Sequence, residues 1–471
     1  MRYILSTALI FLSSWAFSQE WEQVANFGNS TRRLYTDTVD QLLYISGQFK
    51  FYGNDTINGV CFWNGNSIQP MGDGLYDACP GSCYPVEMFI RYKNEIYTSS
   101  IFDEVGGQPS SGIGRWNGST WLPVSPGLYS DNNNAGTAWG ACEHDGRLYV
   151  VGPFRTAGQD TANSVASWDG NTWHTYGAPE DTQHDIPLHG RVIFYKDEMY
   201  VGGNCYNIVD GNINFDIMRY DGTAWHQVGS GIHGGLSAIF KMVIYHGDLY
   251  ICGRFDKSSG NAGNGIMRWD GEQWHDVGGG LCYDNEFATD MMVYQDKLYM
   301  VGIFSCIAED LPVSNIAVWN DERWCSLGNS IFDDKLGCIE AYKGEIYVGG
   351  GFEEVGGYPV KYLAKYIGDH STNTCSASVS ITPEPHQGGQ LTIHPNPVKD
   401  QFTITASSGS LALTMWRVFN AAGQEVTFLV HLISSSMPEQ WMLDVQGLPV
   451  GVYYLQGRGH ASMETGRFVK M

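Results

Sequence analysis

One unit of about 50 residues repeats seven times along this chain. Each unit opens with an apolar residue and a tyrosine, followed by a glycine three residues later and a phenylalanine five residues later. The tyrosines are Tyr44, Tyr97, Tyr149, Tyr200, Tyr250, Tyr299 and Tyr347. Serine replaces the glycine at Ser100, and cysteine replaces the phenylalanine at Cys205. Because successive tyrosines are 48 to 53 residues apart, the units should share one local structure.

A second aromatic landmark, usually followed by Asn-Gly or Asp-Gly, stands later in every unit. These residues are Trp63, Trp116, Trp168, Tyr220, Trp269, Trp319 and Tyr366. Asn-Gly and Asp-Gly accept positive φ at both central positions of a hairpin, so we predict two-residue turns at sites such as Asp270-Gly271. An earlier hairpin is predicted to turn at His246-Gly247. Two hairpins give four antiparallel strands per unit, and no stretch shows sustained helical periodicity.

The last strand of a unit carries an apolar anchor that occurs only six times, at Ile68, Trp121, Trp173, Trp225, Trp274 and Trp324. After Tyr366 the expected strand is replaced by a polar run, whereas Trp21-Glu22-Gln23-Val24 has the missing pattern. We therefore expect this N-terminal strand to complete the seventh unit. An open row of sheets would expose an edge at its two ends, whereas a closed ring does not. Residues 19–369 are therefore predicted to form an all-β, seven-bladed β-propeller.

The period, the Gly-x-Phe pattern and the tryptophan spacing resemble Kelch-type (galactose-oxidase-type) propellers. The double glycine of Kelch repeats stands at Gly202-Gly203 and Gly349-Gly350. This resemblance covers about three quarters of the chain and implies a four-stranded blade for each unit. The tryptophans are then interpreted as packing wedges between neighbouring blades.

Both ends of the chain carry features typical of export. A basic residue, an apolar stretch and small residues predict a signal peptide over 1–18. Residues 370–388 are rich in Ser, Thr and Pro and are predicted to be a linker. Alternating apolar segments separated by Gly and Pro predict a small Ig-like β-sandwich over 389–471. No later stretch has the roughly 20 apolar residues of a spanning helix, so we expect no membrane span.

The C-terminal segment resembles the type A sorting domain of the type IX (Por) secretion system of Bacteroidetes. Its ordered motifs contain Pro395, Asn396, Pro397, Gly423, Gly451 and Tyr453. The resemblance implies that the type IX machinery is a partner and that the protein is secreted or attached to the outer-membrane surface. It also implies that the tail is usually removed. The alternative is an additional adhesive β-sandwich module.

The charge balance limits the classes of partner. With 27 basic and 50 acidic side chains the net charge is −23, which argues against nucleic acid or an anionic bilayer as a partner. The 11 cysteines suit an oxidising compartment, and the odd count leaves at least one free thiol. We expect a local disulfide between Cys79 and Cys83, and a second one between Cys306 and Cys325 within one repeat.

Recognisable catalytic motifs are missing from the sequence. His174, His226 and His275 follow the blade tryptophans at equivalent positions. Equivalent positions in separate blades point apart, so we interpret these residues as exposed strand histidines and not as metal ligands. No His-Glu-x-x-His, Gly-x-Ser-x-Gly or phosphate-loop pattern occurs, and we expect neither cofactor nor metal.

The connections between strands two and three, and between successive units, are long and variable, so we expect functional loops on that face. Aromatic and acidic side chains there are candidates for gripping a sugar or a cation: Tyr76, Tyr84, Tyr129, Asp131, His184, Tyr283 and Asp284. Alternatively, acidic loops merely solvate the rim. The sequence favours a binding or adhesion module with a glycan or protein ligand. The alternatives are a carbohydrate-active hydrolase or lyase, with two carboxylates near the central channel, and a structural surface-layer component.

Overall fold

The computed structural model describes residues 19–75, 85–130, 134–177, 189–209, 212–233, 238–328, 330–368, 375, 392–405, 415–420, 426, 430–437, 440–458 and 463–471. These residues form strands and connections without a helix, which confirms the predicted all-β class. Within the same ranges, no helix has the length and apolar character needed to cross a bilayer. The chain divides into two compact units, Met1–Ser378 and Val379–Met471. The predicted signal peptide lies outside the described residues.

The described residues of the first unit form seven four-stranded antiparallel sheets, numbered here in chain order. Sheet 1 comprises Thr31–Asp37, Leu42–Gly47, Val60–Trp63 and Ile68–Pro70; sheet 2 comprises Met88–Tyr92, Glu95–Ser99, Ile113–Trp116 and Trp121–Pro123. Sheet 3 comprises Gly140–His144, Arg147–Val151, Val165–Trp168 and Trp173–Thr175; sheet 4 comprises His189–Tyr195, Glu198–Val209, Asn212–Tyr220 and Trp225–Gln227. Sheet 5 comprises Ala238–Tyr245, Asp248–Arg254, Ile266–Trp269 and Trp274–Asp276; sheet 6 comprises Phe287–Tyr294, Lys297–Ile303, Ile316–Trp319 and Trp324–Cys325. Sheet 7 comprises Leu336–Tyr342, Glu345–Gly350, Leu363–Tyr366 and the N-terminal Trp21–Ala25.

Short β-ribbons fill many of the long connections. They are Phe51–Tyr52 with Asp55–Thr56, Glu104–Val105 with Gln108–Pro109, Cys306–Ile307 with Leu311–Pro312, and Glu354–Val355 with Tyr358–Pro359. A three-stranded piece joins Leu128–Tyr129, Thr156–Ala157 and Asp160–Thr161. The face that carries these connections is therefore structured.

The two kinds of hairpin differ from one another, which corrects one prediction. His246 and Gly247 both have positive φ and form the expected two-residue turn between Tyr245 and Asp248. The Asp-Gly turns are instead four-residue loops, because Trp269 pairs with Trp274 and only the glycine of Asp270-Gly271 has positive φ. Asp270 Oδ1 accepts the backbone N–H groups two and three residues later, at 2.7 and 2.8 Å. This side-chain capping explains why aspartate or asparagine recurs there.

Close approach of the backbone explains the recurring glycine of the Gly-x-Phe pattern. A Cβ on Gly253 would lie 2.0 Å from the carbonyl oxygen of Ala238, where the chain enters the first strand of its sheet. The same clash recurs at Gly152 and Gly302, with entering carbonyl oxygens at 2.1 and 2.3 Å. The phenylalanine two residues later is buried, as at Phe154 and Phe352 with 0% exposure.

Tryptophans of the fourth strands connect each sheet to the preceding one. The indole N–H of Trp121, Trp173, Trp225, Trp274 and Trp324 donates to the backbone oxygen of Met71, Pro126, Tyr176, Val228 and Val277, respectively, at 2.7 to 3.2 Å. Tyrosines at the opposite ends of the first strands connect a sheet to the following one. Tyr92, Tyr245, Tyr294 and Tyr342 donate to turn carbonyls of the next sheet. Neighbouring sheets are thus connected through both ends.

Sheet 7 uses the N-terminal strand in place of a fourth strand from its own repeat. Trp21 pairs with Tyr366, is 1% exposed and donates its indole N–H to Ser330 Oγ at 2.7 Å. Sheet 7 also packs on sheet 1, because Tyr342 donates to the carbonyl of Gln41 and buried side chains of both sheets share one core cluster. The seven sheets therefore pack in a closed series.

Two disulfides correct the predicted pairing of Cys306 with Cys325. Cys306 is bonded to Cys282, and Cys325 is bonded to Cys375. Leu281 forms a β-bridge with Ile307, which brings Cys282 beside Cys306 across a connection that the repeat does not contain. Cys325 lies in the last strand of sheet 6 and faces the chain that follows sheet 7. Cys79 and Cys83 lie outside the described residues.

The second unit contains two sheets. One has the strand order Thr392–His394, Gln401–Thr405, Gln440–Asp444, His431–Met437, and the other has the order Met415–Asn420, Gly451–Arg458, Met463–Lys470. Residues from both sheets, including Phe402, Leu443, Leu455 and Phe468, form one buried cluster. The Pro395-Asn396-Pro397 segment is attached to the final strand, because Asn396 donates to the carbonyl of Arg467 at 2.8 Å and accepts from the N–H of Val469 at 2.9 Å.

Candidate functional site

A cavity of about 310 Å³ opens where the first strands of several sheets begin and the second strands end. It lies on the side of the long connections. We call it the channel mouth and define it by six of its lining side chains, Arg32, Arg33, Arg191, Phe240, Phe287 and Lys335. No carboxylate belongs to the described lining, although acidic residues outnumber basic ones by nearly two to one in the whole chain. The mouth is therefore a local cationic site in an acidic protein.

Arg32 and Arg33 share one buried carboxylate. Glu87, which is 8% exposed, lies 3.5 Å from Arg32 Nη2 and 3.2 Å from Arg33 Nη2. Arg33 Nε also donates to the backbone oxygen of Glu87 at 3.0 Å. These contacts fix Arg33, whose side chain is 17% exposed, whereas Arg32 remains 47% exposed. Two positive charges thus face one negative charge on this side of the mouth.

Arg191 is held only by backbone carbonyls. Its Nε donates to the oxygen of Phe240 at 2.8 Å, and its Nη1 donates to the oxygens of Trp139 and Gly190. Among the described residues it forms no ion pair, and Nη2 makes no hydrogen bond. Burial in the channel wall, with Arg33 nearby, lowers the pKa of Arg191 to about 9, so the guanidinium remains charged near neutral pH. Nη2 is available to an incoming acceptor.

The first strands of sheets 5 and 6 carry a compensated pair. Lys241 Nζ lies 2.9 Å from Asp290 Oδ1. The Oδ1 atom of Asp290 also accepts from the N–H of Met291 at 2.9 Å, and its Oδ2 accepts from the N–H of Ile339 at 3.2 Å. Burial opposes the charged form of Lys241, but the Asp290 carboxylate outweighs it and raises the pKa of Lys241. Both carboxylate oxygens of Asp290 are therefore already engaged.

Glu340 on sheet 7 lies near this pair without a cationic partner in ion-pair contact among the described residues. Burial raises its pKa to about 7; Lys241 opposes this shift and Asp290 adds to it. Its Oε1 accepts from the N–H of Ala341 at 3.2 Å. The carboxyl thus changes charge near neutral pH.

Two aromatic rings form the apolar part of the mouth. The centroids of Phe240 and Phe287 are 5.8 Å apart, with ring planes at 57°. The guanidinium carbon of Arg254, at the end of the second strand of sheet 5, lies 5.9 Å from the Phe287 centroid. An apolar ring face and an acidic group can both find partners in this cavity.

The three predicted site residues that the structure describes do not line this cavity. Tyr129 pairs with Thr156 in the three-stranded piece, and Tyr283 and Asp284 are exposed outside the mouth. Tyr76, Tyr84, Asp131 and His184 lie outside the described residues, so their prediction remains untested. The mouth was not predicted, because the candidate residues were chosen among the aromatic and acidic side chains of the loops. A signal was present: Arg191, Lys241 and Asp290 each stand nine residues before a repeat tyrosine.

The three strand histidines have a local structural role. Nε2 of His174, His226 and His275 lies 2.8, 2.6 and 2.6 Å from Oδ2 of Asp169, Asp221 and Asp270, the aspartate of its own turn. A hydrogen bond from His275 holds the pKa of Asp270 well below its usual range. Across the described part of the chain, no group of three or more His, Cys, Asp or Glu side chains has metal-site geometry.

A second cavity of about 340 Å³ lies beside the fourth strand of sheet 5 and is lined by Trp269, Trp274 and Gly229 among others. Gly229 lies against both tryptophans, and Gly278 lies against Trp319 and Trp324 in the same way. This cavity is therefore an opening in the recurring contact between sheets, whereas the charges of the mouth belong to particular sheets.

Comparison with known proteins gave similar solved structures and one family match. Solved structures similar to this chain include the β-propeller domain of the Trilobed protease from Pyrococcus furiosus, with 12% identity and a TM-score of 0.41 over 77% of this chain and 99% of that one. The Dos1 propeller has 10% identity and a TM-score of 0.36 over 74% and 96%. Bacteroides ovatus xyloglucan PUL GH43B has 11% identity and a TM-score of 0.25 over 81% and 88%.

The C-terminal comparison is specific. No curated protein matches the chain significantly. Residues 392–471 match the secretion system C-terminal sorting domain, which confirms the predicted tail. The final strands and the Pro-Asn-Pro attachment described above lie inside this match; Gly423 lies outside the described residues. The chain thus carries a Por-type C-terminal sorting domain, which implies interaction with the type IX secretion machinery, and it is secreted or attached to the outer-membrane surface.

Proposed function

We propose that this protein is an exported binding or adhesion module whose ligand site is the channel mouth. In this proposal, residues 1–18 are a signal peptide, 19–369 a seven-bladed Kelch-like propeller, 370–388 a linker and 389–471 a sorting domain with an Ig-like sandwich. The seven sheets and the sorting-domain match support this organisation. The ligand is a glycan or a protein group that reaches the mouth from outside the cell.

One observation carries the choice of site: the mouth holds charged groups that the described residues leave without compensating charge. Burying a cation without a partner is costly, so natural proteins pair such groups or expose them to a ligand or water. Within the described residues Arg191 donates only to carbonyls, and Arg32 and Arg33 share one Glu87 carboxylate. A ligand that supplies acceptors would complete these contacts.

Hydrolysis is the second candidate, because Asp290 and Glu340 both lie along the first strands. A raised pKa near 7 suits a general acid, and Glu340 has one. Its partner would have to act as a base or nucleophile, however, and both oxygens of Asp290 already accept hydrogen bonds or pair with Lys241. Binding therefore fits the described side chains better than carboxylate-pair catalysis does.

The test compares two tryptophan substitutions on sheet 6 in the full chain. Ile303 lines the cavity and is 37% exposed, so Ile303→Trp should fill the mouth without disturbing the core. Val293 is 42% exposed near the opposite end of the first strand, and Val293→Trp is the control. We expect glycan-array or surface pull-down signals to be lost in the first variant and kept in the second. Equal binding by both variants would remove the mouth as the site, and turnover without stable binding would favour the enzyme.

A further inference from the structure

We propose, on the basis of the binding function above, that the ligand of the channel mouth is a sugar ring bearing a carboxylate or a sulfate. The described lining of the mouth carries more positive than negative charge. Four cationic side chains line the mouth, and within the described residues only Glu87 is ion-paired with any of them. Lys335 is exposed, and among the described residues neither Lys335 nor Arg191 is paired with a carboxylate. About three positive charges therefore face the cavity.

The geometry of Arg191 identifies where the acidic group docks. Carbonyl contacts through Nε and Nη1 fix the plane of the guanidinium, and Nη2 makes no hydrogen bond within the described residues. With Nε and Nη1 already engaged, Nη2 offers a carboxylate or sulfate oxygen one charge-assisted donor nitrogen. Since the mouth already holds Arg191 in place, little side-chain entropy is lost when the anion binds.

Size and overall charge favour a compact ligand. A volume of about 310 Å³ is at the lower end of small-molecule sites, close to one sugar ring with its substituent. The net charge of −23 repels an extended polyanion, whereas the local cations act within a Debye length of roughly 8 Å at physiological salt. Nucleic acid, an anionic membrane or a long sulfated polymer would meet that repulsion, and a single acidic sugar or chain end would not.

The two phenylalanines argue for a ring and not a bare anion. Phe240 and Phe287 offer apolar surface within the same cavity as Arg191. The apolar face of a sugar can cover this surface, which inorganic sulfate cannot do. A neutral sugar could use the rings but would leave the cations unpaired. The site thus requires both features in one ligand.

Calorimetric titration of the full chain with glucuronate, glucose 6-sulfate, glucose and inorganic sulfate tests this inference. We expect one or both acidic sugars to bind at least tenfold more tightly than glucose and inorganic sulfate, since each loses one class of contact. The difference between the two acidic sugars identifies the acidic group. Binding by glucose with equal affinity, or by inorganic sulfate with equal affinity, would overturn the inference. Retention on dextran sulfate without binding of either acidic sugar would also overturn it.

Matched charge variants separate a local site from bulk electrostatics. Arg32→Gln with Lys335→Gln removes two cations of the mouth, and Lys50→Gln with Lys297→Gln removes two cations elsewhere on the first unit. The first pair should weaken binding of the acidic sugar about tenfold or more, and the second pair should leave it unchanged. Equal weakening by both pairs would refute a local site. If neutral glycans bind on the array and Ile303→Trp abolishes that signal, only the acidic-ligand inference fails; if Ile303→Trp has no effect, the proposed site fails as well.

Discussion

Glu340→Gln should stabilise the first unit above neutral pH and leave its stability unchanged in acid. Glu340 lies on the first strand of sheet 7 and faces charged or titratable groups of three other sheets. These are Lys241 on sheet 5, Asp290 on sheet 6 and Tyr35 on sheet 1. Burial raises the pKa of its carboxyl from the ordinary 4.5 to about 7. The folded protein therefore favours the protonated form, and glutamine resembles that form in shape and charge.

The size of the stability difference follows from the difference in the pKa of Glu340 between the folded and unfolded states. A pKa of about 7 in place of 4.5 corresponds to about 3 kcal/mol, because one pKa unit is worth about 1.36 kcal/mol. The pKa is raised in the folded state, so stability from this group is fully present below pH 4.5 and is lost as the pH rises through about 7. Water that reaches the half-buried carboxyl screens part of the effect. We expect the variant to be more stable by about 2 kcal/mol at pH 8.

Urea unfolding followed by tryptophan fluorescence between pH 4.5 and 8 measures this difference. Most of the 15 tryptophans lie in the first unit, so the signal reports mainly on its unfolding. Glu354→Gln, at an exposed position of a ribbon, is the control and should give a pH-independent difference near zero. A stability gain for Glu340→Gln that stays constant across this range, or no gain at pH 8, would refute the assignment of a desolvated carboxyl.

Three further outcomes follow from contacts elsewhere in the chain. Trp21→Ala should cost about 3–5 kcal/mol of unfolding free energy, because Trp21 is 1% exposed and closes sheet 7; a loss below about 1 kcal/mol in urea unfolding would contradict that role. Peptide mapping without reduction should recover Cys282 linked to Cys306 and Cys325 linked to Cys375, and a peptide joining Cys306 to Cys325 would contradict the observed pairing. Asn396→Ala should cost the sorting domain about 1 kcal/mol of stability, because it removes both contacts to the final strand. This loss should appear as faster proteolysis of the tail, whereas Lys399→Ala, at an exposed position, should leave the proteolysis rate unchanged.

The repeat made the strands predictable because their patterns are local. The predicted strand Ile266–Trp269 has the same bounds in the structure, and the turn at His246-Gly247 has the expected positive φ at both residues. Propensity alone misjudged Asp270-Gly271, because the aspartate side chain caps a longer loop and supplies acceptors that a two-residue turn does not need.

Long-range contacts between connections could not be predicted in the same way. Cys282 meets Cys306 because a segment after sheet 5 forms a bridge with a ribbon inserted in sheet 6. No repeat period contains that contact, since insertions differ from unit to unit. The channel mouth was missed for a related reason. Its cations come from sheets 1 and 4 and from the chain before sheet 7, so they converge only when the sheets pack in a closed series.

Two cations of the channel mouth, Arg33 and Arg191, lie at one register position where the repeats differ. The second strand of each sheet carries the repeat tyrosine, and the residue two positions after that tyrosine pairs with one residue of the first strand. In sheets 1 to 7 this first-strand residue is Arg33, Met88, Gly140, Arg191, Lys241, Asp290 and Cys338. Seven identical cations around one channel would repel one another, whereas seven apolar residues would offer nothing to an acidic ligand. Asp290 neutralises Lys241, and Arg191 remains without a carboxylate partner among the described residues. Positions that every repeat shares therefore build and close the series of sheets, and positions where the repeats differ supply the chemistry of the site.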